Sequence, residues 1–254
     1  MQNALYLILE EIALLSRFSF RFFKEGFLPR YEVNEFLRQS FFVGYKSLGL
    51  VGVTAFIMGL VITIQSRPTL VEFGAEAWLP KMVSVSLVRE IAPVITALIC
   101  AGKVGSGMGA ELGSMKVTEQ IDAMDVSGTN PFKYLVVTRV FATTLMIPVL
   151  AVLADAISLY GGYLGCNIRG EVSWALYWNQ VFETLSYGDV IPAILKTFFF
   201  GFAIGIVGCY KGYYSNKGTE GVGQSANSAV VISSLLVFIL DLIAVQIIDL
   251  MELT

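Results

Sequence analysis

Residues 88 to 124 read VREIAPVITALICAGKVGSGMGAELGSMKVTEQIDAM, an apolar run that contains Arg89 and Glu90, then closely spaced glycines, then a polar segment from Glu111 to Asp122. A charge inside a membrane span costs about 2.5–3.5 kcal/mol to insert, so such charges usually face a cavity, a partner or a pathway. The stretch therefore predicts a membrane helix with internal charges that leads into a polar surface segment.

The composition of the whole chain agrees with this interpretation. Of its 254 residues, 56% are hydrophobic and only 15% are charged, whereas soluble domains carry about 25% charged residues. The uncharged run from Ser47 to Ser66 has the length of one bilayer crossing. These features predict a polytopic membrane protein. The net charge of -3 argues against nucleic-acid binding, which requires basic tracts.

Two residue types limit the possible chemistry. The chain has no histidine, which excludes His-based catalytic triads and His-ligated zinc or haem. Its three cysteines, Cys100, Cys166 and Cys209, lack the paired spacing of a metal or redox site. We therefore assign no catalytic residue, no metal ligand and no cofactor to this chain.

The N-terminal 30 residues predict an amphipathic helix that does not span the membrane. Glu10, Arg17, Arg21 and Lys24 recur at helical spacing, with leucines and phenylalanines between them. This pattern is typical of a helix that lies in the membrane interface. The alternative is a surface helix packed against the protein's own core.

The remainder of the chain predicts five membrane spans in a single domain, residues 1–254. The resulting fold class is all-α, with an interfacial helix at 1–30 and a transmembrane region at 43–250. The third span contains Pro148 and Asp155, which predict a kink or a protrusion beyond the bilayer. The predicted spans cover residues 43–65, 83–108, 134–165, 190–210 and 226–250.

The distribution of basic residues predicts the orientation. Most of the 17 lysines and arginines lie on the same side as the N-terminus, and basic residues favour the cytoplasm. The N-terminus is therefore expected in the cytoplasm and the C-terminus outside. Trp174, Tyr177 and Trp178 then suit an aromatic belt at the outer surface.

Glycines spaced by four residues predict close helix packing. They occur at Gly105, Gly109 and Gly113, and again at Gly201 with Gly205 and Gly208 with Gly212. Small residues at this spacing let helix backbones approach each other in lipid. The chain contains no G-x-x-x-x-G-K-[ST] sequence, the motif that binds nucleotide phosphates. Any nucleotide hydrolysis must therefore occur on another polypeptide.

The charged pair Arg89–Glu90 requires separate partners, because adjacent helical residues do not face each other. Asp241 in the fifth span is the candidate partner for Arg89, and Glu90 is left to bond hydroxyls or a lipid headgroup. The alternative is an ion pair that serves only the fold. A variant with Arg89 replaced by alanine is expected to insert normally and transport poorly.

The segment from Glu111 to Asp125 predicts a short cytoplasmic helix with Glu111, Thr118, Glu119 and Asp122 along one side. Such a helix can fit a groove of a soluble subunit and transmit its motion. With the charged span before it, the segment indicates a transporter subunit. The alternative is an ordinary solvated loop helix.

The stretch that begins at Leu87 resembles the signature of the MlaE (YrbE-like) family of ABC-transporter permeases. That signature has the form L-x-R-E-x-x-P, then A-G-[RK]-x-G-[ST], then A-E-[LI]-G-x-M-x-x-x-E-Q-[IL]. The resemblance implies a homodimer in the bacterial inner membrane that moves phospholipids or related lipids between the two membranes. It implies cytoplasmic ATPase partners, which carry the ATP and Mg, and an MCE-domain lipid-binding protein on the periplasmic side.

The resemblance also implies roles for individual residues. Arg89 and Glu90 are expected near a lipid cavity, and position alone adds apolar wall residues from the first and fifth spans. The expected cavity set is Arg89, Glu90, Asp241, Val53, Ile57, Leu60, Val61, Leu236 and Ile239. The expected ATPase-coupling set is Glu111, Gly113, Met115, Thr118, Glu119, Gln120 and Asp122.

Three other functions fit parts of the sequence. An ion-coupled secondary transporter of a hydrophobic substrate would use Arg89, Glu90, Asp155 and Asp241 as a relay, and ATP dependence would distinguish it. A membrane-embedded lipid enzyme is disfavoured by the lack of histidine and of paired catalytic carboxylates. A structural scaffold would contain no bound lipid.

Overall fold

A computed structural model describes residues 2–27, 32–168, 170–216 and 218–252, and every regular element in these ranges is helical. The α-helices are α1 (Gln2–Gly26), α2 (Val33–Val43), α3 (Tyr45–Glu72), α4 (Leu79–Ser86), α5 (Ala92–Cys100), α6 (Ser106–Val117), α7 (Gln120–Val126), α8 (Thr138–Asn167), α9 (Trp174–Thr184), α10 (Tyr187–Tyr213) and α11 (Thr219–Glu252).

The five predicted spans are confirmed. Within the described ranges, five helical stretches are long and apolar enough to cross a membrane, which identifies an all-α polytopic membrane protein. Each of them is longer than the corresponding prediction, because it continues beyond the apolar run. The stretches are Val33–Glu72, Glu76–Val117, Phe132–Asn167, Tyr187–Tyr213 and Thr219–Leu250.

The bundle has two ends, which we name by the short helices they carry. At the α9 end, α9 lies against α4, with Lys81 Nζ 3.6 Å from Glu183 Oε2. At the α7 end, Gly113 of α6 lies against Ser215 and Val222, close to the connection between α10 and α11. Successive spans therefore run in opposite directions between these two ends.

Glycines do bring the helices together, as the sequence predicts. A Cβ atom added to Gly201 would lie 2.6 Å from the Thr143 carbonyl oxygen of α8, and one on Gly212 would lie 2.7 Å from Leu112 Cβ of α6. A Cβ atom added to Gly109 would lie 3.1 Å from the Ser225 carbonyl oxygen of α11. Larger residues would force these backbones apart.

A second close approach, between α3 and α8, was not predicted. Gly59 of α3 lies directly against the Ser158 backbone, and Gly161 of α8 lies directly against the Phe56 carbonyl. In both places the space for a side chain is already filled by main-chain atoms. These glycines fix the crossing of the first and third spans.

Helix α1 packs against the bundle through one face. Phe18 and Phe22 are buried, with ring centroids 5.0 Å from Phe132 and 5.6 Å from Phe202, respectively. Exposed aromatics such as Phe20 occupy other parts of α1. Contact with the protein core is therefore present, and the interfacial position stays a prediction. Residues 1 and 28–30 of the predicted helix lie outside the described residues.

Helix α9 is attached to α8 by a buried tyrosine. The Tyr177 hydroxyl donates to the Leu159 carbonyl oxygen at 2.9 Å, and burial raises the pKa of this phenol above its ordinary value. Ser173 begins the helix by accepting a hydrogen bond from the Leu176 amide. This attachment fixes the position of the exposed Trp174 at the α9 end.

Candidate functional site

A lysine in the fourth span joins three spans inside the bundle. Lys196 Nζ donates to Glu90 Oε2 at 2.6 Å and to Asp241 Oδ1 at 2.8 Å. Its side chain is only 3% exposed. Because an unpaired charge here would be costly, the two carboxylates hold the second, fourth and fifth spans together. We refer to Lys196, Glu90, Asp241 and the nearby Asp155 as the Lys196 cluster.

The position of Glu90 follows from a proline three residues later. Pro93 has no N–H, so the Arg89 carbonyl oxygen cannot accept the usual helical hydrogen bond from the residue four positions later. The chain widens into a π-helical turn over Leu87–Ile91, where the Ala92 amide donates to the Leu87 carbonyl. Such turns frequently occur at functional sites. This turn carries both members of the charged pair, Arg89 and Glu90.

Asp155 of α8 is the third carboxylate of the Lys196 cluster. It lies within electrostatic reach of Lys196, and its Oδ1 atom is buried without a hydrogen-bond partner. The Lys196 cluster thus contains three carboxyl groups and one ammonium. The ammonium contacts Glu90 and Asp241 directly, so among the described residues Asp155 is the least compensated of the three carboxyl groups.

The structure corrects the expected pairing of Arg89 with Asp241. Asp241 accepts from Lys196, whereas Arg89 NH1 lies 3.4 Å from Asp189 Oδ1. Asp189 also accepts from the Ser186 amide and hydroxyl in the capping box that begins α10. Arg89 therefore attaches the π turn to the start of α10, at the α9 end.

An apolar groove separates α10 from α11 at the α9 end. Its volume is about 570 Å³. Lys196 is the charged residue that lines it, and its ammonium is occupied by the carboxylates of the Lys196 cluster. The apolar walls include Ile191, Leu195 and Phe199 from α10 and Leu240, Ile243 and Ile247 from α11.

The apolar wall residues expected from the sequence do not line this groove. Val53, Ile57, Val61 and Ile239 are exposed on the surface of the single chain, and Leu60 and Leu236 are half-buried. The observed groove lies between the fourth and fifth spans, not among the first, second and fifth. A cavity lined by the expected residues would require a second copy, and it stays a prediction.

The expected helix at 111–125 is two helices. α6 ends at Val117, and Glu119 has a φ of 59°, in the left-handed region, before α7 begins at Gln120. A non-glycine residue in this region ends a right-handed helix. The prediction of one continuous helix is therefore wrong. Lys116 Nζ, 2.7 Å from Asp122 Oδ1, bridges the turn.

Glu111 and Gly113 contribute to the fold at the α7 end. Glu111 Oε1 lies 2.9 Å from NH2 of Arg139, a side chain that is only 2% exposed. Removing this carboxylate would leave a buried guanidinium with less compensation. Gly113 is buried against Ser215 and Val222. Both residues therefore make contacts that stabilise the fold, whether or not they also couple the chain to an ATPase.

The remaining expected coupling residues lie at the surface. Thr118, Glu119, Gln120 and Asp122 are exposed, and Met115 is half-buried. Ile121 is buried and anchors α7 to the core. Val126 at the end of α7 is 90% exposed. An anchored helix with exposed charges and an exposed apolar side chain is a suitable docking surface.

The sequence interpretation gave no role to Lys196 or Arg139. The sequence does indicate that both residues have internal partners, because each is a cation within or beside an apolar run. Charges in such positions usually make contacts inside the protein. Their partners were not predictable from spacing, since Lys196 lies 106 residues from Glu90 and 45 from Asp241.

Comparison with known proteins identifies relatives over most of the chain. A family model described as "Permease MlaE" matches residues 36–247. A probable ABC transporter permease protein of Rickettsia typhi is 40% identical over 230 residues, which cover 91% of this chain and 89% of that protein. The intermembrane phospholipid transport system permease protein MlaE of Haemophilus influenzae is 33% identical over 209 residues, 82% and 80% of the two chains.

Proposed function

The chain belongs to the MlaE permease family of ABC transporters, and from this premise we propose that it moves phospholipids or related lipids between the inner and outer membranes. It would be the membrane-spanning subunit, and a separate ATPase subunit would supply the energy. The Haemophilus influenzae relative is named for intermembrane phospholipid transport, which supports the choice of substrate.

The observation that carries this proposal is the groove between α10 and α11 with the Lys196 cluster beside it. A lipid requires apolar walls for its tails and a few fixed polar groups for its head. The groove supplies such walls. Arg89, which is partly exposed beside Asp189 at the α9 end, is the candidate contact for a lipid phosphate, because guanidinium groups bind phosphate well.

The Lys196 cluster is the proposed connection between the moving parts. Because it ties the π turn, α10 and α11 together, a displacement of one span is transmitted to the other two. Helix α7 would receive the motion from the ATPase through Glu119, Gln120, Asp122 and Val126. Rigid-body motion of packed helices is a common form of such coupling.

The assembly is proposed to be a homodimer. Helix α11 exposes a series of large apolar side chains, including Leu235, Phe238 and Leu242, which suit a two-fold interface or lipid. Val53, Ile57, Leu60, Val61, Leu236 and Ile239 remain the proposed walls of a chamber between the copies.

The location and partners follow from the same proposal. The chain would lie in the bacterial inner membrane, with its N-terminus and α7 in the cytoplasm. ATPase subunits that bind ATP and Mg would dock at the α7 end. An MCE-domain lipid-binding protein would dock at the α9 end, on the periplasmic side.

Isolation of the native complex tests the assembly. We expect affinity purification of the full-length chain from its own membranes, followed by mass spectrometry, to identify an ATPase subunit, an MCE-domain protein and bound phospholipid. Recovery of the chain alone, active and without an ATPase, would contradict the proposal. It would favour the alternative, which is ion-coupled transport through the Lys196 cluster. The intramembrane carboxyl groups of the Lys196 cluster are the observation that supports this alternative.

A further inference from the structure

We propose that the groove between α10 and α11 binds a single acyl chain of a membrane phospholipid, and that Phe199 and Leu240 close its deep end. This inference deepens the proposed lipid transport and rests on it. It assigns the acyl chain to the fourth and fifth spans of one copy, apart from any chamber formed between two copies.

The length of the groove matches one leaflet. Along α10 it extends from Gly188 to Phe199, a distance of about 17 Å at the helical rise per residue. The hydrocarbon core of a bilayer is about 30 Å thick, so the chains of one leaflet span about 15 Å. The groove begins at the first turn of α10, which is the α9 end of the span. An acyl chain of the leaflet at that end therefore fits its length.

The chemistry of the lining selects a tail over a headgroup. The walls are aliphatic and aromatic apart from Lys196. The ammonium of Lys196 already has two carboxylate partners, so it offers no net positive charge to an anion. A polar or ionic ligand would lose its hydration without gaining a partner. An apolar chain has no such cost.

The packing of α11 explains why the groove is unfilled by protein. Its buried positions, Gly221, Ser225, Ala229, Ser233 and Val237, recur every four residues along one face. Beyond Val237, the described side chains as far as residue 250 include no buried residue. Helix α11 is thus closely seated on the second span at the α7 end, where Gly109 lies against Ser225 and Ala229. Large side chains separate it from α10 at the α9 end.

Two positions determine how the groove can be altered. Ala244 is a small residue in the α11 wall, so Ala244→Phe should fill the groove without disturbing the Lys196 cluster. Phe199 lies at the deep end, so Phe199→Ala should lengthen the groove. Val152→Phe is the matched control for added bulk, because Val152 is exposed on α8 and is not among the groove-lining residues.

Photocrosslinking tests the proposal directly. The purified full complex is reconstituted in vesicles of phosphatidylethanolamine and phosphatidylglycerol that contain a trace of phospholipid with a diazirine in one acyl chain. The diazirine is placed near the carboxyl end in one probe and near the methyl end in the other. We expect the first probe to label peptides around Ile191 and Ile247, and the second to label peptides around Phe199 and Leu240.

The variants separate a bound chain from lipid that merely surrounds the protein. Ala244→Phe should abolish the depth-ordered labelling, whereas Val152→Phe should leave it at the wild-type level. Labelling that is independent of diazirine position and unaffected by Ala244→Phe would overturn the proposal. Efficient disulfide formation between copies through Ala244→Cys, with loss of labelling, would also overturn it, because a second copy would then fill the groove.

Chain length provides an independent readout. Phe199→Ala should shift methyl-end labelling toward longer acyl chains, and an unchanged length preference would contradict the assignment of the deep end. ATP-dependent lipid transfer is measured in the same vesicles. Depth-ordered labelling without lipid transfer would refute the proposed function but support acyl-chain binding in the groove. Lipid transfer without depth-ordered labelling would refute only acyl-chain binding in the groove.

Discussion

The two halves of α10 are packed in different ways. At the α7 end, Gly208 and Gly212 of α10 lie against Gly105 and Leu112 of the second span, with main-chain atoms almost in contact. At the α9 end, α10 is separated from α11 by large apolar side chains and a groove of about 570 Å³. One half is closed by small residues, and the other is held by the Lys196 cluster.

This difference shows how one helix can be rigidly packed at one end and open to a ligand at the other. Close backbone packing leaves little space for movement. A Cβ atom added to Gly212 would lie 2.7 Å from Leu112 Cβ, and one added to Gly208 would lie 3.1 Å from the Gly105 carbonyl oxygen. Ion pairs between spans, in contrast, join helices through side-chain tips and tolerate a gap beside them. We therefore assign helix positioning to the α7 half and ligand contact to the α9 half.

The largest effect is expected from Lys196→Ala. This change leaves Glu90 and Asp241 facing each other without their shared cation, and breaking a buried ion pair typically costs about 3–5 kcal/mol of the free energy of unfolding. Thermal unfolding in detergent measures the loss. The combined variant Glu90→Gln, Lys196→Met, Asp241→Asn should regain most of the stability. If it is as unstable as Lys196→Ala, charge compensation is not the reason for the loss.

A smaller loss is expected from Gly212→Ala. The new methyl group would lie 2.7 Å from Leu112 Cβ and 2.9 Å from the Gly109 carbonyl oxygen, and overpacking of this kind costs about 1–3 kcal/mol in unfolding free energy. The matched variant Gly188→Ala, whose nearest atom is Ser186 Oγ at 3.4 Å, should unfold like the wild type. Equal unfolding temperatures for the two variants would contradict the proposed difference in packing between the α7 end and the α9 end of α10.

Arg89→Ala tests whether the α9 half contributes to lipid transfer, and it should reduce the stability of the fold only modestly. Its ion pair with Asp189 is long and partly exposed, so we expect normal membrane insertion and reduced lipid transfer. Lys81→Ala is the control, because Lys81 also forms a long, partly exposed ion pair at the same end. Full transfer by a well-expressed Arg89→Ala variant would contradict the proposed headgroup contact.

The smallest effect on stability is expected at α7. Glu119→Lys and Asp122→Lys change exposed side chains, and surface ion pairs such as Lys116–Asp122 contribute about 0–1 kcal/mol. These variants should fold normally but recover less ATPase subunit on co-purification. Glu220→Lys, an exposed charge reversal at the same end, is the control. Unchanged ATPase recovery with the α7 variants would exclude α7 as the docking surface.

The spans and the glycine contacts were predictable because each rests on a local pattern. An apolar run of the length of Ser47–Ser66 has few alternatives to crossing a membrane. Glycines four residues apart, such as Gly208 and Gly212, identify a close contact before its partner is known. Gly161 and Gly165 of α8 have the same spacing, so one side of the crossing of α3 and α8 was also predictable, whereas Gly59 of α3 has no glycine four residues away.

The ion pairs were not predictable, because their partners come from different spans. Arg89 and Asp241 are both intramembrane charges, but the π turn caused by Pro93 and the arrival of Lys196 from α10 decide which groups meet. The break between α6 and α7 was missed for a related reason. Glutamate seldom adopts a left-handed conformation, so the residue type at position 119 did not indicate the break.

Lipid transfer in reconstituted vesicles tests the central proposal most directly. The full complex, with its ATPase subunit, should transfer labelled phospholipid when ATP and Mg are supplied. The transfer should stop when the ATPase is inactivated, whatever ion gradient is applied. Transfer by the purified chain alone, driven by an ion gradient and indifferent to ATP, would contradict the account.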